Sequence, residues 1–273
     1  MVREFDLYIV PTPIGNMQDI TLRAIEVLKS VDIIACEDTR TTQKLLSHYD
    51  IRTKCISYHK YNEHERVNLF INELSSGNKI ALVSDAGTPM ICDPGSILIS
   101  EVLRHGFSVT SLPGACAITT FLSQIARDDE KFVFIGFIPR TAKQIEAVVT
   151  KYKFENIVFY DSPERILKTL NTIQSCRGNI KIALGRELSK LFEEVVINDI
   201  ETVTAHFKDG IKGEIVCMLY AEALSTNLEI ADKISILKSK GFKPKEISVI
   251  LSSLFEYNKN EIYKTALNNF KDN

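Results

Sequence analysis

The stretch "ALVSDAGTPMICDPG", Ala81–Gly95, decides how the fold is read. An apolar run stops at Asp85 and opens into a loop with Gly87, Pro89, Pro94 and Gly95 inside nine residues, and Asp93 beside Pro94. A loop that only reversed the chain could be shorter and less specified. Gly87 and Gly95 permit positive φ, or a ligand's close approach to backbone. The stretch therefore predicts a buried strand whose carboxyl end carries backbone of fixed shape. Asp85 and Asp93 come with no histidine and no third acid nearby in sequence, so no metal site is expected.

The same pattern repeats on both sides. "DLYIV" reads as a strand stopped by Pro11 and Pro13, and "VDIIAC", "KCISYH" and "SVTSL" as further strands. Between them "ITLRAIEVLKS" is amphipathic, with Asp19 as its expected cap, and "NEHERVNLFINELSSG" spaces Val67, Phe70, Ile71 and Leu74 along one helical face. "SILISEVLRHG" and "ACAITTFLSQI" are helical too. Short apolar strands alternating with amphipathic helices predict an α/β domain with a mostly parallel sheet, about residues 1–117. Its strands end at Val10, Cys36, Ser84 and Leu112, and ligands of such sheets bind beyond those carboxyl ends.

The polar break "ARDDEK", Ala126–Lys131, reads as a linker. After it come strands "FVFIGFI", "NIVFY", "IKIAL", "EEVVIN" and "EIVCMLY", with helices between them. The adjacent "IALGREL" and "EEVVI" predict antiparallel members, hence an α+β second domain, about residues 118–222. Residues 223–273 form three short helical segments, with Gly241 closing the first and Pro244 opening the second. This piece resembles a helix-turn-helix unit and holds eight lysines but no arginine. It can be a helical cap on the body or a nucleic-acid contact without bidentate guanine readers.

Composition narrows the function classes. A formal net charge of -2 does not indicate a globally basic nucleic-acid binder, though a local basic patch remains open. The six cysteines are scattered without a CxxC, and no apolar run is long enough to span a bilayer, so a cytoplasmic protein away from membranes is expected. No GxGxxG, phosphate-loop lysine, GxSxG or HExxH pattern is present, which disfavours dinucleotide, nucleoside triphosphate, serine-hydrolase and zinc-protease chemistry.

Four loops carry the chemistry. "PTPIGNMQDIT" opens after the first strand. "CEDTR" puts Glu37, Asp38 and Arg40 directly after the second, either as a helix cap with an internal ion pair or as a polar cleft wall. The stretch after Val83 is the third, and "LPGACA" the fourth, where Gly114 lets a ligand near backbone amides at a helix start. The loop "YHKYNEHER", with His59 and His64, reads as solvated surface or as a substrate cover.

Taken in order, "PTPIGNMQDIT", "CEDTR", "SDAGTPMICDPG", "LPGACA" and "FVFIGFIPR" resemble the tetrapyrrole-methylase superfamily. They most resemble its branch of 16S rRNA cytidine 2'-O-methyltransferases. "FYDSPERI", "GRELSKLFEE" and "KGEIV" continue the likeness to about Tyr220. The resemblance implies two α/β domains with S-adenosyl-L-methionine in the cleft between them, a homodimer, and 16S rRNA or the small ribosomal subunit as partner. It implies cofactor contacts at Pro11, Thr12, Pro13 and Gly15, at Asp85, Ala86, Gly87, Thr88 and Pro89, and at Pro113, Gly114 and Ala115. Two motifs depart from the branch. Its "ESPHR" reads "DSPER", with Asp161 for glutamate and Glu164 for histidine, and its "PGPSA" reads "PGACA", with Ala115 and Cys116 for proline and serine.

A ribose hydroxyl needs a proton acceptor, or at least an oriented hydrogen bond, to attack a sulfonium methyl. Glu37 and Asp38 are the first candidates and Asp161 the next. Arg40, Arg140, Arg165, Arg186 and Lys190 are candidate RNA phosphate contacts; for Arg186, an ion pair with Glu187 or Glu193 is the alternative. Two further readings stay open: methylation of a corrin or porphyrin precursor on the same fold, and a non-catalytic RNA-binding or ribosome-assembly module.

Overall fold

The computed structural model describes residues 4–127, 130–222, 226–255 and 257–271. The chain forms two compact units, 1–220 and 221–273.

The first unit contains two five-stranded sheets. Strands β1 (Leu7–Ile9), β2 (Ile33–Cys36), β3 (Lys54–Ser57), β4 (Ile80–Val83) and β5 (Val109–Ser111) pair in the order β3-β2-β4-β1-β5. Every pairing is parallel, so the expected mostly parallel sheet is wholly so. The period of two decides its two cores. Leu7, Ile9, Ile33 and Ala35 face α3 (Glu63–Ser75) and α4 (Ser96–Arg104), burying Phe70, Leu74, Leu98 and Val102. Tyr8, Val10, Ile34 and Cys36 face the other way, onto α1 (Leu22–Ser30) and α2 (Thr39–His48) through Ala24, Leu28 and Leu46. Both faces are covered, which is why these strands read as unbroken apolar runs. The start of α1 differs from expectation. Thr21, not Asp19, is its cap, accepting from Ala24 N at 3.0 Å, while Asp19 lies in a 3₁₀ turn before it.

The second sheet runs β6 (Phe132–Phe137), β7 (Asn156–Asp161), β10 (Ile215–Leu219), β8 (Lys181–Arg186), β9 (Glu194–Asp199). Only β6–β7 is parallel, and β9 pairs antiparallel with β8 at the sheet's edge. One face packs on α6 (Ala142–Lys151), α7 (Ile166–Arg177) and α8 (Ile200–His206). The other face, with Val158, Ala183, Val216 and Met218, meets α5 (Ala117–Leu122) through Phe121 and Leu122, and meets Ile14 from the loop after β1. That second core joins the two sheets. Of the predicted break at Ala126–Lys131, Asp128 and Asp129 lie outside the described residues.

The second unit is three helices, α9 (Thr226–Ser239), α10 (Pro244–Leu254) and α11 (Lys259–Lys271), around Ile234, Ile247, Leu251, Ile262 and Ala266. Pro244 occupies the first turn of α10, and Glu246 accepts from Lys243 N at 2.7 Å. Among the described residues, no helix is long and apolar enough to cross a membrane.

Candidate functional site

Parallel pairing brings the four singled-out loops to one edge of the first sheet, and their backbones bind one another. Thr12 and Gly87 exchange two backbone hydrogen bonds, each 2.9 Å, in an isolated antiparallel bridge. The buried Thr12 hydroxyl donates to Ser84 O at 3.0 Å, and the Thr88 hydroxyl to Ala115 O at 2.9 Å. Gly114 is needed for close approach: a Cβ there would lie 2.6 Å from Pro11 Cβ. The loop from Ser84 to Gly95 is bent by a run of left-handed residues, Gly87 (φ 80°), Met90 (71°), Cys92 (73°) and Gly95 (145°). Met90 and Cys92 hold a conformation that costs a side-chain-bearing residue of order 1 kcal/mol or more, a mark of functional loops.

A cavity of about 410 Å³ opens between this edge and the second sheet, a size that suits a small-molecule ligand. Its walls are Asp85–Thr88, Ile91–Asp93, Cys116 and Ala117 on one side, and Phe137, Tyr160–Pro163 and Gly213–Val216 on the other, with Ile14 and Leu188 between. A register shift between Phe134 and Phe137 of β6, with Gly136 at φ 70°, turns Phe137 outward. Tyr160 packs against both phenylalanine rings.

The sequence-predicted cofactor residues divide into two groups. Asp85, Ala86, Gly87 and Thr88 line the cavity. Pro11, Thr12, Pro13, Pro89, Pro113, Gly114 and Ala115 do not; several of them stand behind the wall and shape it through the bonds above. Gly15 faces the loop after β8. A Cβ there would overlap the Lys190 side chain and come within 2.9 Å of Leu188 O. The same loop is tied to the first domain by Ser189, whose hydroxyl pairs with Asp19 and accepts from Asn16 N. Sequence reading missed Ile14, Ile91, Cys92, Tyr160 and Glu214 as wall residues, although each falls in a motif quoted above.

The candidate proton acceptors fare unequally. Asp38 is the cap of α2: its Oδ1 accepts from Arg40 N at 2.8 Å, and its Oδ2 pairs with the Arg40 guanidinium at 2.8 Å. These bonds hold its carboxyl down at about 2, too acidic for a base near neutrality. Asp161 is buried, and its oxygens accept from Thr169 Oγ1 (2.6 Å), Ser162 N (2.9 Å) and, at 3.4 Å, Arg165. It is a structural anchor for the turn into α7. Glu37 is half-buried, and burial, then the neighbouring Asp85, raises its pKa, but it does not line the cavity. Glu37 is also a charge facing Asp93, so the third acid that the local sequence lacked arrives from β2.

Of the candidate RNA contacts, three are engaged. Arg165 donates to Pro139 O at 2.9 Å. Arg186 pairs with Glu194 at 2.7 Å, not with Glu187 or Glu193, because Glu194 stands opposite it in the β8–β9 register. Lys190 binds Glu187 at 2.9 Å and Glu214 at 3.0 Å. Arg40 is exposed beside Asp38, on a separate shallow groove along α2 with Gln43 and Lys44. Arg140 is exposed and has no ion pair among the described residues.

The cavity walls carry four carboxylates, of Asp85, Asp93, Asp161 and Glu214, and no lysine, arginine or histidine. That lining fits a ligand with cationic centres, which S-adenosyl-L-methionine has in its sulfonium and ammonium groups.

Comparison with known proteins agrees with this fold. A family profile described as "Tetrapyrrole (Corrin/Porphyrin) Methylases" matches residues 6–204. A protein of Streptococcus pyogenes serotype M3 named ribosomal RNA small subunit methyltransferase I is 39% identical over 267 residues, covering 94% of this chain and 93% of that one. Its namesake from Vibrio cholerae serotype O1 is 38% identical over 273 residues, covering 96% and 94%. The namesake from Halalkalibacterium halodurans is 43% identical over 216 residues, covering 78% and 74%. The crystal structure of a diphthine synthase superposes with a TM-score of 0.64 at 14% identity, over 79% of this chain and 89% of that one. A cobalt precorrin-4 methyltransferase superposes with 0.56 at 14% identity, over 78% and 93%. At such identities the structural likeness speaks for the fold, two α/β domains with a cleft. With a profile match from residue 6 to 204 and relatives 38% and 39% identical over nearly its full length, the chain belongs to the tetrapyrrole (corrin/porphyrin) methylases, a family whose methyl donor is S-adenosyl-L-methionine.

Proposed function

We propose that this protein is an S-adenosyl-L-methionine-dependent methyltransferase acting on the ribose 2'-hydroxyl of a cytidine in small-subunit (16S) ribosomal RNA, and that it works as a cytoplasmic homodimer. The observation that carries the choice of chemistry is the carboxylate-lined cavity at the carboxyl edge of the parallel sheet. The relatives' shared name supports the choice of substrate. A polyacidic tetrapyrrole would meet carboxylates in this cavity and no counter-charge, which disfavours the corrin or porphyrin alternative.

S-adenosyl-L-methionine, when bound, supplies a methyl group on a positively charged sulfur. The chain's part is mostly positioning. Asp85–Thr88 present backbone and a carboxylate to the ligand, and the Thr12–Gly87 bridge and the Thr88–Ala115 bond hold that backbone still. Tyr160, with Phe134 and Phe137, gives the opposite wall an aromatic, water-excluding surface. Arg40 and Arg140 are the cations free enough at the surface to meet phosphate, while Arg165, Arg186 and Lys190 stabilise the fold. Domain limits near 117 and 222 belong to the same reading.

The test is transfer of labelled methyl to purified small ribosomal subunits lacking the modification, run beside a tetrapyrrole precursor. Label in the RNA alone is the expected result. Label in the tetrapyrrole alone contradicts the proposal.

A further inference from the structure

The chain carries a formal net charge of -2, so contact with RNA phosphates needs a local concentration of cations. One lies in the helical second unit. Lys233–Lys245 holds five of that unit's eight lysines and no acid. Two of the five are occupied within the unit. Lys233 lies over the Phe255 ring, 3.8 Å from its centroid, and Lys238 donates to Asn269 O at 2.6 Å. Lys240, Lys243 and Lys245 are exposed and have no ion pair among the described residues.

The turn that presents them is built to one shape. α9 ends at Ser239 and α10 starts at Pro244, which leaves a connection of residues 240–243. Gly241 takes φ 88°, donates from its N to Lys238 O at 2.9 Å, and lets Phe242 N reach Leu237 O at 3.2 Å. Pro244 fixes the entry into α10. Glu246, the nearest acid along the chain, accepts from Lys243 N at 2.7 Å and so serves the helix start. At the tip, between Lys240 and Lys243, the Phe242 ring is 39% exposed. Hydrogen bonds through its backbone close the turn, so the turn itself gives no reason for an aromatic side chain there.

We propose that the α9–α10 turn is a contact for single-stranded RNA, in which Lys240, Lys243 and Lys245 meet phosphates and the Phe242 ring stacks on an unpaired base. This rests on the functional reading above and adds a second RNA surface to Arg40 and Arg140. Lysine binds phosphate as a point charge, and a unit without arginine lacks the bidentate readers of guanine edges. Nor does α10 suit the groove of a duplex: Lys245 and Glu246, both in its first turn, are its only charged residues. Bases in a duplex are stacked on one another, so an exposed ring finds a free base face in an unpaired strand.

The test compares full-length wild type with two variants. One carries Lys240→Gln, Lys243→Gln and Lys245→Gln together, and the other Phe242→Ala. Binding to small ribosomal subunits, to a protein-free single-stranded oligoribonucleotide and to anionic phospholipid vesicles is measured over a salt series, beside S-adenosylhomocysteine affinity and methyl transfer. The triple variant should lower the slope of log RNA affinity against log salt by about 2, at about 0.7 per phosphate. Arginine at the same three positions should restore the slope. Phe242→Ala should weaken RNA binding about fivefold or more and leave the slope unchanged. Both variants should keep S-adenosylhomocysteine affinity, because the cavity is lined by first-unit residues, and should raise the KM for subunits more than they lower kcat. A triple variant with the wild-type slope on RNA overturns the assignment. So does a loss confined to vesicles, which would make the turn a membrane contact, or a loss on subunits but not on the oligoribonucleotide, which would make it a contact for a ribosomal protein. A wild type that methylates no subunit overturns the functional reading, and the salt slopes then decide the RNA contact by themselves.

Discussion

Replacing Gly114 by alanine should separate the loops that form the cavity wall. Gly114 follows β5 and Pro11 follows β1, and the two strands are neighbours in register, Ile9 opposite Ser111. An alanine Cβ would sit 2.6 Å from Pro11 Cβ and 2.9 Å from its Cγ. Ordinary contact begins at 3.4 Å, so the backbones must part by 3.4 − 2.6 = 0.8 Å. The proline ring cannot swing aside, because it closes on its own backbone. Pro11 leads directly into Thr12, whose two 2.9 Å bonds to Gly87 hold the cofactor loop. Stretching both costs about 1–3 kcal/mol at roughly 0.5–1.5 each, the same range as a forced methylene in a packed core. A loss near 2 kcal/mol corresponds to a fall in Tm of about 4–8 °C for a chain of this size class. S-adenosylhomocysteine affinity should fall by about tenfold or more, since the Asp85–Thr88 wall shifts with Thr12. Gly106→Ala is the comparator: its φ of 81° imposes strain, but nothing lies within 4 Å. It should cost stability of about 1 kcal/mol and leave affinity alone. Calorimetric titration and thermal unfolding read both. A Gly114→Ala protein with wild-type Tm and affinity refutes the claim that this contact builds the site.

Other consequences follow from the same geometry. Arg165→Ala removes the donor to Pro139 O and the charge beside buried Asp161; because Arg165 is itself partly exposed, the expected loss in urea unfolding is about 1–3 kcal/mol, with the salt dependence of RNA binding unchanged. Arg140→Ala should do the reverse, lowering the slope of log affinity against log salt by about one while leaving stability at the wild-type value, as read by filter binding over a salt series. Asp6 joins β1 to the start of β5 by accepting from Ser108 N (2.7 Å) and Oγ (2.6 Å), and these bonds lower its pKa. Its stabilising contribution is therefore present above 3.8 and lost as pH falls through the lower folded-state value, so Asp6→Asn should flatten that part of the acid-unfolding curve.

The fold was legible because its strands are short, apolar and punctuated. Two-sided burial of β1, β2 and β4 requires continuous apolar runs, and the loops after them require glycine and proline, so strand ends and site loops announce themselves together. The antiparallel members of the second sheet were legible from the closeness of β8 and β9. The site was legible only in part. Pro11 and Gly114 stand out for their turn chemistry and Ala115 comes only with the family resemblance, but their work is to hold the wall rather than to be it. Local sequence could not show that Arg186 would meet Glu194, since strand register chooses the partner. Nor could it show that Asp161 would be buried on Thr169, eight residues on, or that Glu37, far upstream in sequence, would add to burial in raising Asp93. The cap of α1 was misassigned between two good capping residues, Asp19 and Thr21, because Asp19 is drawn to Ser189 of the second domain.

The most direct test of the central claim is to identify the methylated nucleoside. Small ribosomal subunits lacking the modification are incubated with the protein and labelled S-adenosyl-L-methionine, then digested and analysed by mass. The account predicts 2'-O-methylcytidine as the labelled product. A methyl on a base or on another nucleoside, or RNA left without label by a protein that binds the cofactor tightly, would contradict it.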